Sequence, residues 1–107
     1  MGSFRFMRLF VFFDLPAITA EEKRDYRKFR KLLITNGFIM LQESVYCKLL
    51  TTPAVEQSVK NTISKNKPAN GKVQMLLVTE KQYAKMNYVI GENTSNIIES
   101  SDTLIVL

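Results

Sequence analysis

Few residues in this chain of 107 could do covalent or metal chemistry. Histidine is absent, and the single cysteine, Cys47, has no second thiol to pair with inside the chain. Acid–base or metal chemistry therefore falls to carboxylates, and among them Asp14 has the most rigid setting. It closes the run Arg8-Leu9-Phe10-Val11-Phe12-Phe13-Asp14-Leu15-Pro16. The consecutive apolar residues Leu9 to Phe13 read as a central strand buried on both faces, since a half-buried strand would alternate. Pro16 has no backbone donor and holds Leu15 extended, so the strand ladder ends near Asp14 and leaves its carboxylate at the C-terminal edge. The plain structural alternative is that Asp14 starts a turn or helps cap the helix that follows.

The second concentration of chemistry is charge. Fifteen Lys and Arg against ten Asp and Glu give a formal charge of +5, and its placement says more than its total. On a helix, Lys23, Arg24, Arg27, Lys28, Arg30 and Lys31 occupy an arc of roughly 160 degrees, opposite Tyr26, Phe29, Leu32 and Leu33. Glu21, Glu22 and Asp25 lie in the first turn, where they suit the helix dipole, so the rest of the face is uncompensated. A phosphate backbone complements it, with Arg24, Arg27, Lys28 and Lys31 as the foremost contacts and Lys60, Lys65, Lys67 and Lys72 next. A merely solvated cationic face is the alternative.

The elements that must position these groups follow in order. Thr19 and Glu22 form a capping box that opens a helix over 20–36, stopped by Gly37, with Ile34 off its apolar stripe. Residues 38–41 and 45–50 read as a long second strand, bulged or bent at Gln42-Glu43-Ser44, or as a strand pair. Thr52 caps a second helix with Pro53 at its first position and Val55, Val59 and Ile63 on its packing face, ending near 66–68. After the Asn70-Gly71 turn, residues 72–79 read as another buried strand and 80–86 as a short helix or turn. A polar loop over 91–102 then leads to an apolar strand over 103–107. The order predicts an α+β fold, ferredoxin-like βαββαβ with an extra C-terminal strand, two helices lying on one face of an antiparallel sheet. Lys72-Val73-Gln74-Met75 lacks the glycine-aromatic signature of an RNA-recognition-motif strand, which counts against a free-standing RNA-binding domain.

The length suits a single domain over residues 1–107, and a core this small favours completion by a second copy, hence a homodimer. No run approaches the roughly 20 apolar residues needed to span a bilayer, and the lone cysteine fits a reducing compartment. A cytoplasmic protein without a membrane partner is expected. Met1-Gly2-Ser3 reads equally as native sequence or as residues added in cloning, and Met7 is an alternative start.

Several segments together resemble the CRISPR-associated Cas2 family, specifically the subgroup that accompanies Cas9 (type II) systems. They are Phe13-Asp14-Leu15-Pro16, Tyr26-Arg27-Lys28-Phe29-Arg30-Lys31, Gly37-Phe38-Ile39-Met40 followed by Gln42 and Ser44-Val45-Tyr46, and Val78-Thr79-Glu80-Lys81-Gln82-Tyr83. The resemblance runs nearly end to end. It implies a ferredoxin-like homodimer whose C-terminal strand, here 103–107, pairs with the partner's sheet. It also implies a role in acquiring spacers, with the dimer between two dimers of the Cas1 integrase, supporting the duplex DNA being inserted. Some members resemble metal-dependent endonucleases that use the aspartate ending the first strand, here Asp14. Family members often have tyrosine before that aspartate, and this chain has Phe13, one hydroxyl fewer beside the proposed metal.

The chemistry so implied is self-consistent. Magnesium is held by one or two carboxylates with waters and substrate phosphates, so two copies of Asp14 across a dimer axis would suffice. The ion would acidify a bound water and neutralise a scissile phosphate without a histidine. Two functions from different classes are therefore expected and are compatible. One is a DNA-binding scaffold for the integrase, and the other is a magnesium-dependent endonuclease cutting RNA or DNA at Asp14.

Overall fold

The computed structural model describes residues 5–91, which form β1 (Met7–Asp14), α1 (Ala20–Thr35), β2 (Ile39–Gln42), β3 (Val45–Leu50), α2 (Pro53–Lys65), β4 (Lys72–Thr79) and α3 (Glu80–Ala84). The strands make one sheet in the order β2-β3-β1-β4 with every neighbouring pair antiparallel. The connection through α1 steps over β3, and the one through α2 steps over β1. This is the expected ferredoxin-like α+β architecture, and β1 is central in it. The strand expected over 103–107 and the loop before it lie outside the described residues.

Local sequence explains each boundary. At the start of α1 the Thr19 hydroxyl accepts from the Glu22 backbone N–H at 3.1 Å, and the Glu22 carboxylate accepts from the N–H groups of Ile18 and Thr19 at 3.0 Å. These backbone donors hold the Glu22 carboxyl below the usual carboxylate range. At the other end Gly37 has φ of 89°. There the N–H of Gly37 donates to Ile34 O and that of Phe38 to Leu33 O, so the last carbonyls are satisfied while buried Phe38 folds back on the core. In α2, Thr52 accepts from Val55 N–H and Pro53 occupies the first turn, where a missing donor costs nothing.

The alternation of β1 separates two apolar layers. Leu9, Val11 and Phe13 face the helices and pack with Phe29, Leu33, Tyr46, Leu50, Val59 and Ile63. Phe10 points to the other face, where among the described residues Cys47 and Tyr83 join it in burial. Phe12, Leu41, Val45 and Val78 pack around that smaller cluster and border an open groove of about 510 Å³ together with Leu76, Met86 and Tyr88. Burial pushes the Cys47 thiol pKa up, partly offset by nearby Arg8.

One alternative is decided and one expectation corrected. Of the two readings of residues 38–50, a bent strand or a strand pair, the pair is the one formed. Gln42 pairs with Val45 across a two-residue turn at Glu43-Ser44, and the irregularity falls between Met40 and Gln42. The second half of the apolar stretch thereby becomes the third strand, and β2 goes to the sheet edge. The strand β4, however, is not a buried strand. Among the described strands it sits at the other edge, with Gln74, Met75 and Leu76 exposed, and of its helix-side residues Val73 and Leu77 pack against the main core while Met75 does not. Its apolar run resembles a central strand because its open-sheet face, including Leu76 at 52% exposure, is also apolar.

Candidate functional site

Asp14 ends β1 opposite Lys72 in the β4 register, and its side chain is exposed. Two neighbours fix the position of this edge. The Phe13 N–H donates to Ser44 O at 3.0 Å, tying β1 to the hairpin turn. On the other side Gly71 adopts φ of +99°, and a Cβ there would stand 2.7 Å from the Asp14 carbonyl oxygen, so the Asn70-Gly71 turn approaches Asp14 as closely as only glycine allows. A hollow of about 190 Å³ at this end is lined by Asp14 with Phe12, Phe13, Ser44, Val45, Lys72 and Gln74.

Phe13 bears on the expectation of a lost hydroxyl beside the metal. Its ring is 5% exposed and lies among aromatic neighbours, with centroids 5.8 Å from Tyr26, 5.3 Å from Phe29 and 5.6 Å from Tyr46. Successive strand residues point to opposite faces. The para position of residue 13 therefore faces the helix layer rather than the Asp14 carboxylate.

The basic face of α1 is a separate surface. All six of its Lys and Arg side chains are exposed, and among the described residues Arg24, Arg27, Lys28 and Lys31 have no carboxylate partner. Arg30 differs: its Nε donates to the hydroxyl of fully buried Tyr46 at 2.8 Å, so the guanidinium is tethered across to β3. Helical spacing explains the split. The Tyr26 and Arg30 flank meets the β2–β3 hairpin, where the Tyr26 hydroxyl reaches Glu43 O at 3.4 Å, while the Asp25, Lys28 and Phe29 flank meets the end of α2. No described α1 residue lines the Asp14 hollow, so the structure keeps the acid and the α1 cations on distinct surfaces.

The model of the family described as CRISPR associated protein Cas2 matches residues 7–86. The chain belongs to the Cas2 family. A protein of Treponema denticola named CRISPR-associated endoribonuclease Cas2 is 50% identical over 101 residues, covering 94% of this chain and 100% of that protein. One of Streptococcus mutans serotype c with the same name is 45% identical over 101 residues, covering 94% of this chain and 93% of the relative. The crystal structure of Streptococcus pyogenes Cas2 at pH 6.5 superposes with a TM-score of 0.61 at 18% identity, covering 77% of this chain and 98% of that one, which supports the fold.

Within this Cas2-family fold, the donor set tests what an ion could find. Among the described residues no group of three or more His, Cys, Asp or Glu is placed to hold a metal. The Asp14 hollow offers one carboxylate and the Ser44 hydroxyl, beside the Lys72 side chain. One carboxylate and no second acidic ligand are too few donors to hold a divalent cation without further oxygen ligands from outside this set. Sequence reasoning missed Ser44 and Gln74 as neighbours of Asp14, and it named Lys72 without placing it there. The β1–β4 register carries this information, and it follows only once both strand ends are fixed. It also missed the pairing of Arg8 with Glu80 at 2.6 Å, with the Arg8 guanidinium 4.3 Å above the Tyr83 ring, which pins α3 to the open sheet face. Desolvation pulls the Arg8 pKa down, but the hydrogen bond and charge of Glu80 outweigh it and raise the pKa overall. Among the described residues, no helix is long and apolar enough to cross a membrane.

Proposed function

We propose that this chain works in CRISPR adaptation as a cytoplasmic homodimer that grips duplex DNA beside the Cas1 integrase of a type II system. The observation that carries the reading is the exposed, carboxylate-free set Arg24, Arg27, Lys28 and Lys31 on α1. Phosphate contacts by such residues are independent of base sequence, as suits a protein that must accept any spacer. The single domain spans residues 1–107. Its second copy covers the apolar open sheet face, and residues 103–107 pair with the partner's sheet. The groove beside Phe10 and Phe12 supports this, since an apolar hollow of that size rarely stays wet on a small protein.

A second activity is compatible with the first. The exposed carboxylate of Asp14 and the endoribonuclease names of the relatives favour a metal-dependent phosphodiesterase acting on RNA or DNA. Magnesium would supply an acidified water and charge neutralisation at the phosphate. Asp14 from each protomer would hold the ion, Lys72 would draw the phosphate toward the same hollow, and the Gly71 turn would keep the edge open to it.

The deciding experiment mixes the full chain with its companion Cas1 and a short duplex, comparing wild type with Asp14→Ala and scoring integration and cleavage separately. Integration that survives the substitution, with cleavage lost, is expected. Integration lost together with cleavage would mean that Asp14 chemistry, not the cationic face, is the working part. A variant with Arg24, Arg27, Lys28 and Lys31 all changed to Ala should integrate poorly and show a flatter dependence of log affinity on log salt, by about one unit for each phosphate left unneutralised.

A further inference from the structure

The flank of α1 that meets α2 holds a polar hollow of about 290 Å³ lined by Asp25, Lys28 and Phe29 from α1 and by residues 65–69 from the end of α2 and the loop beyond. Three lysines open onto it, Lys28, Lys65 and Lys67, against one carboxylate, Asp25. Their charge is not spoken for elsewhere: Lys60 is held by Glu56 at 2.8 Å, whereas Lys28, Lys65 and Lys67 have no carboxylate partner among the described residues. Three ammonium groups bordering one concavity repel one another, and an anion between them relieves that repulsion. Two features oppose an anion here, the Asp25 carboxylate and the negative end of the α2 dipole. Three full charges exceed one charge and a partial one, so the balance remains attractive. Pro68 and Ala69 give the hollow an apolar wall, which suits a sugar beside a phosphate better than a free ion, whose surface is polar all round.

Resting on the reading of α1 as a nucleic-acid grip, we infer that Lys28, Lys65 and Lys67 close together on a single backbone phosphate of a bound duplex. The strand path then leaves the Arg24, Lys28 and Lys31 stripe of α1 and crosses to the α2–β4 loop. That loop ends at Gly71, against Asp14. It therefore connects the cationic helix to the edge that carries the acid.

Sharing distinguishes this arrangement from three lysines on three separate phosphates. With the full chain and a fluorescent DNA duplex of fixed sequence, anisotropy across a potassium chloride series gives the slope of log affinity against log salt. A remaining lysine still neutralises a shared phosphate, so Lys28→Ala, and Lys65→Ala with Lys67→Ala together, should each leave the slope near wild type, while the triple variant flattens it by about one unit. At fixed salt the triple variant should lose more affinity than the product of the separate losses, because only it leaves the phosphate without a partner. Lys65→Arg with Lys67→Arg should keep the wild-type slope, and unchanged circular dichroism should show each variant folded. Losses that simply multiply, with the triple variant flatter by two or three units, would overturn the shared phosphate. So would a wild-type slope in the triple variant, while the four-residue α1 variant still flattens. A wild-type chain with no salt-dependent duplex binding would overturn the α1 reading as well.

Discussion

Asp14 is the residue at which a structural turn and a working acid diverge. Asp14→Asn keeps size and hydrogen-bonding capacity but removes the charge, so the turn should survive while an ion loses its ligand. We expect unchanged oligomeric state and DNA affinity with loss of metal-dependent cleavage, scored on a labelled RNA and a labelled DNA in magnesium. Persisting cleavage would remove Asp14 from the chemistry. Tyr46 offers a cleaner energetic test. Its ring is fully buried and its hydroxyl accepts from Arg30, so Tyr46→Phe should cost about 0.5–1.5 kcal/mol in urea unfolding, because the freed guanidinium remains exposed and takes water instead. A loss several times larger would mean that the pair organises the α1–β3 contact rather than decorating it.

At the scale of elements, α1 depends on its first turn. Thr19→Ala removes one half of the capping box and should cost about 1 kcal/mol. Glu22 adds a pH dependence whose sign is fixed. Its folded pKa lies below the unfolded one, so its contribution is present above the ordinary carboxylate range and is lost as pH falls through the folded value. Glu22→Gln, which keeps the reach to the Thr19 N–H, should therefore flatten the acid limb of the stability curve below that range; an unchanged limb would show that other carboxylates set it. The caps were the most legible features of the sequence because their signal is local: Thr19, Glu22, Gly37, Thr52 and Pro53 each specify geometry within a few residues. Asp14 at the end of a central strand was legible for the same reason, Pro16 stopping the ladder. The edge position of β4 was not, and 38–50 read equally as a bent strand or a strand pair, since an apolar run says how much surface is buried and not which neighbour buries it. The hollows at Asp14 and at Lys28 were hidden for a related reason, as each joins residues more than thirty positions apart.

Among the described residues α1 and α2 cover one side of the sheet, and the short α3 lies on the other. Removing residues 103–107 should yield monomer or aggregate by light scattering, and a persisting dimer would show that the open face alone holds the interface. The topology also has a consequence for synthesis. The first strand made is the middle strand of the finished sheet, and its partner β4 is completed only at Thr79, 65 residues after Asp14. At about 5–20 residues per second, Leu9 to Phe13 waits roughly 3–13 s on the ribosome without that neighbour. Such a run is a ready nucleus for intermolecular β-pairing, and charges at its ends are the usual guard. Here those charges are Arg8 and Asp14. Asp14→Asn should then shift newly made protein toward the insoluble fraction, even though the molecules that do fold melt at the wild-type temperature: the acid at the edge of the sheet also chaperones its own strand.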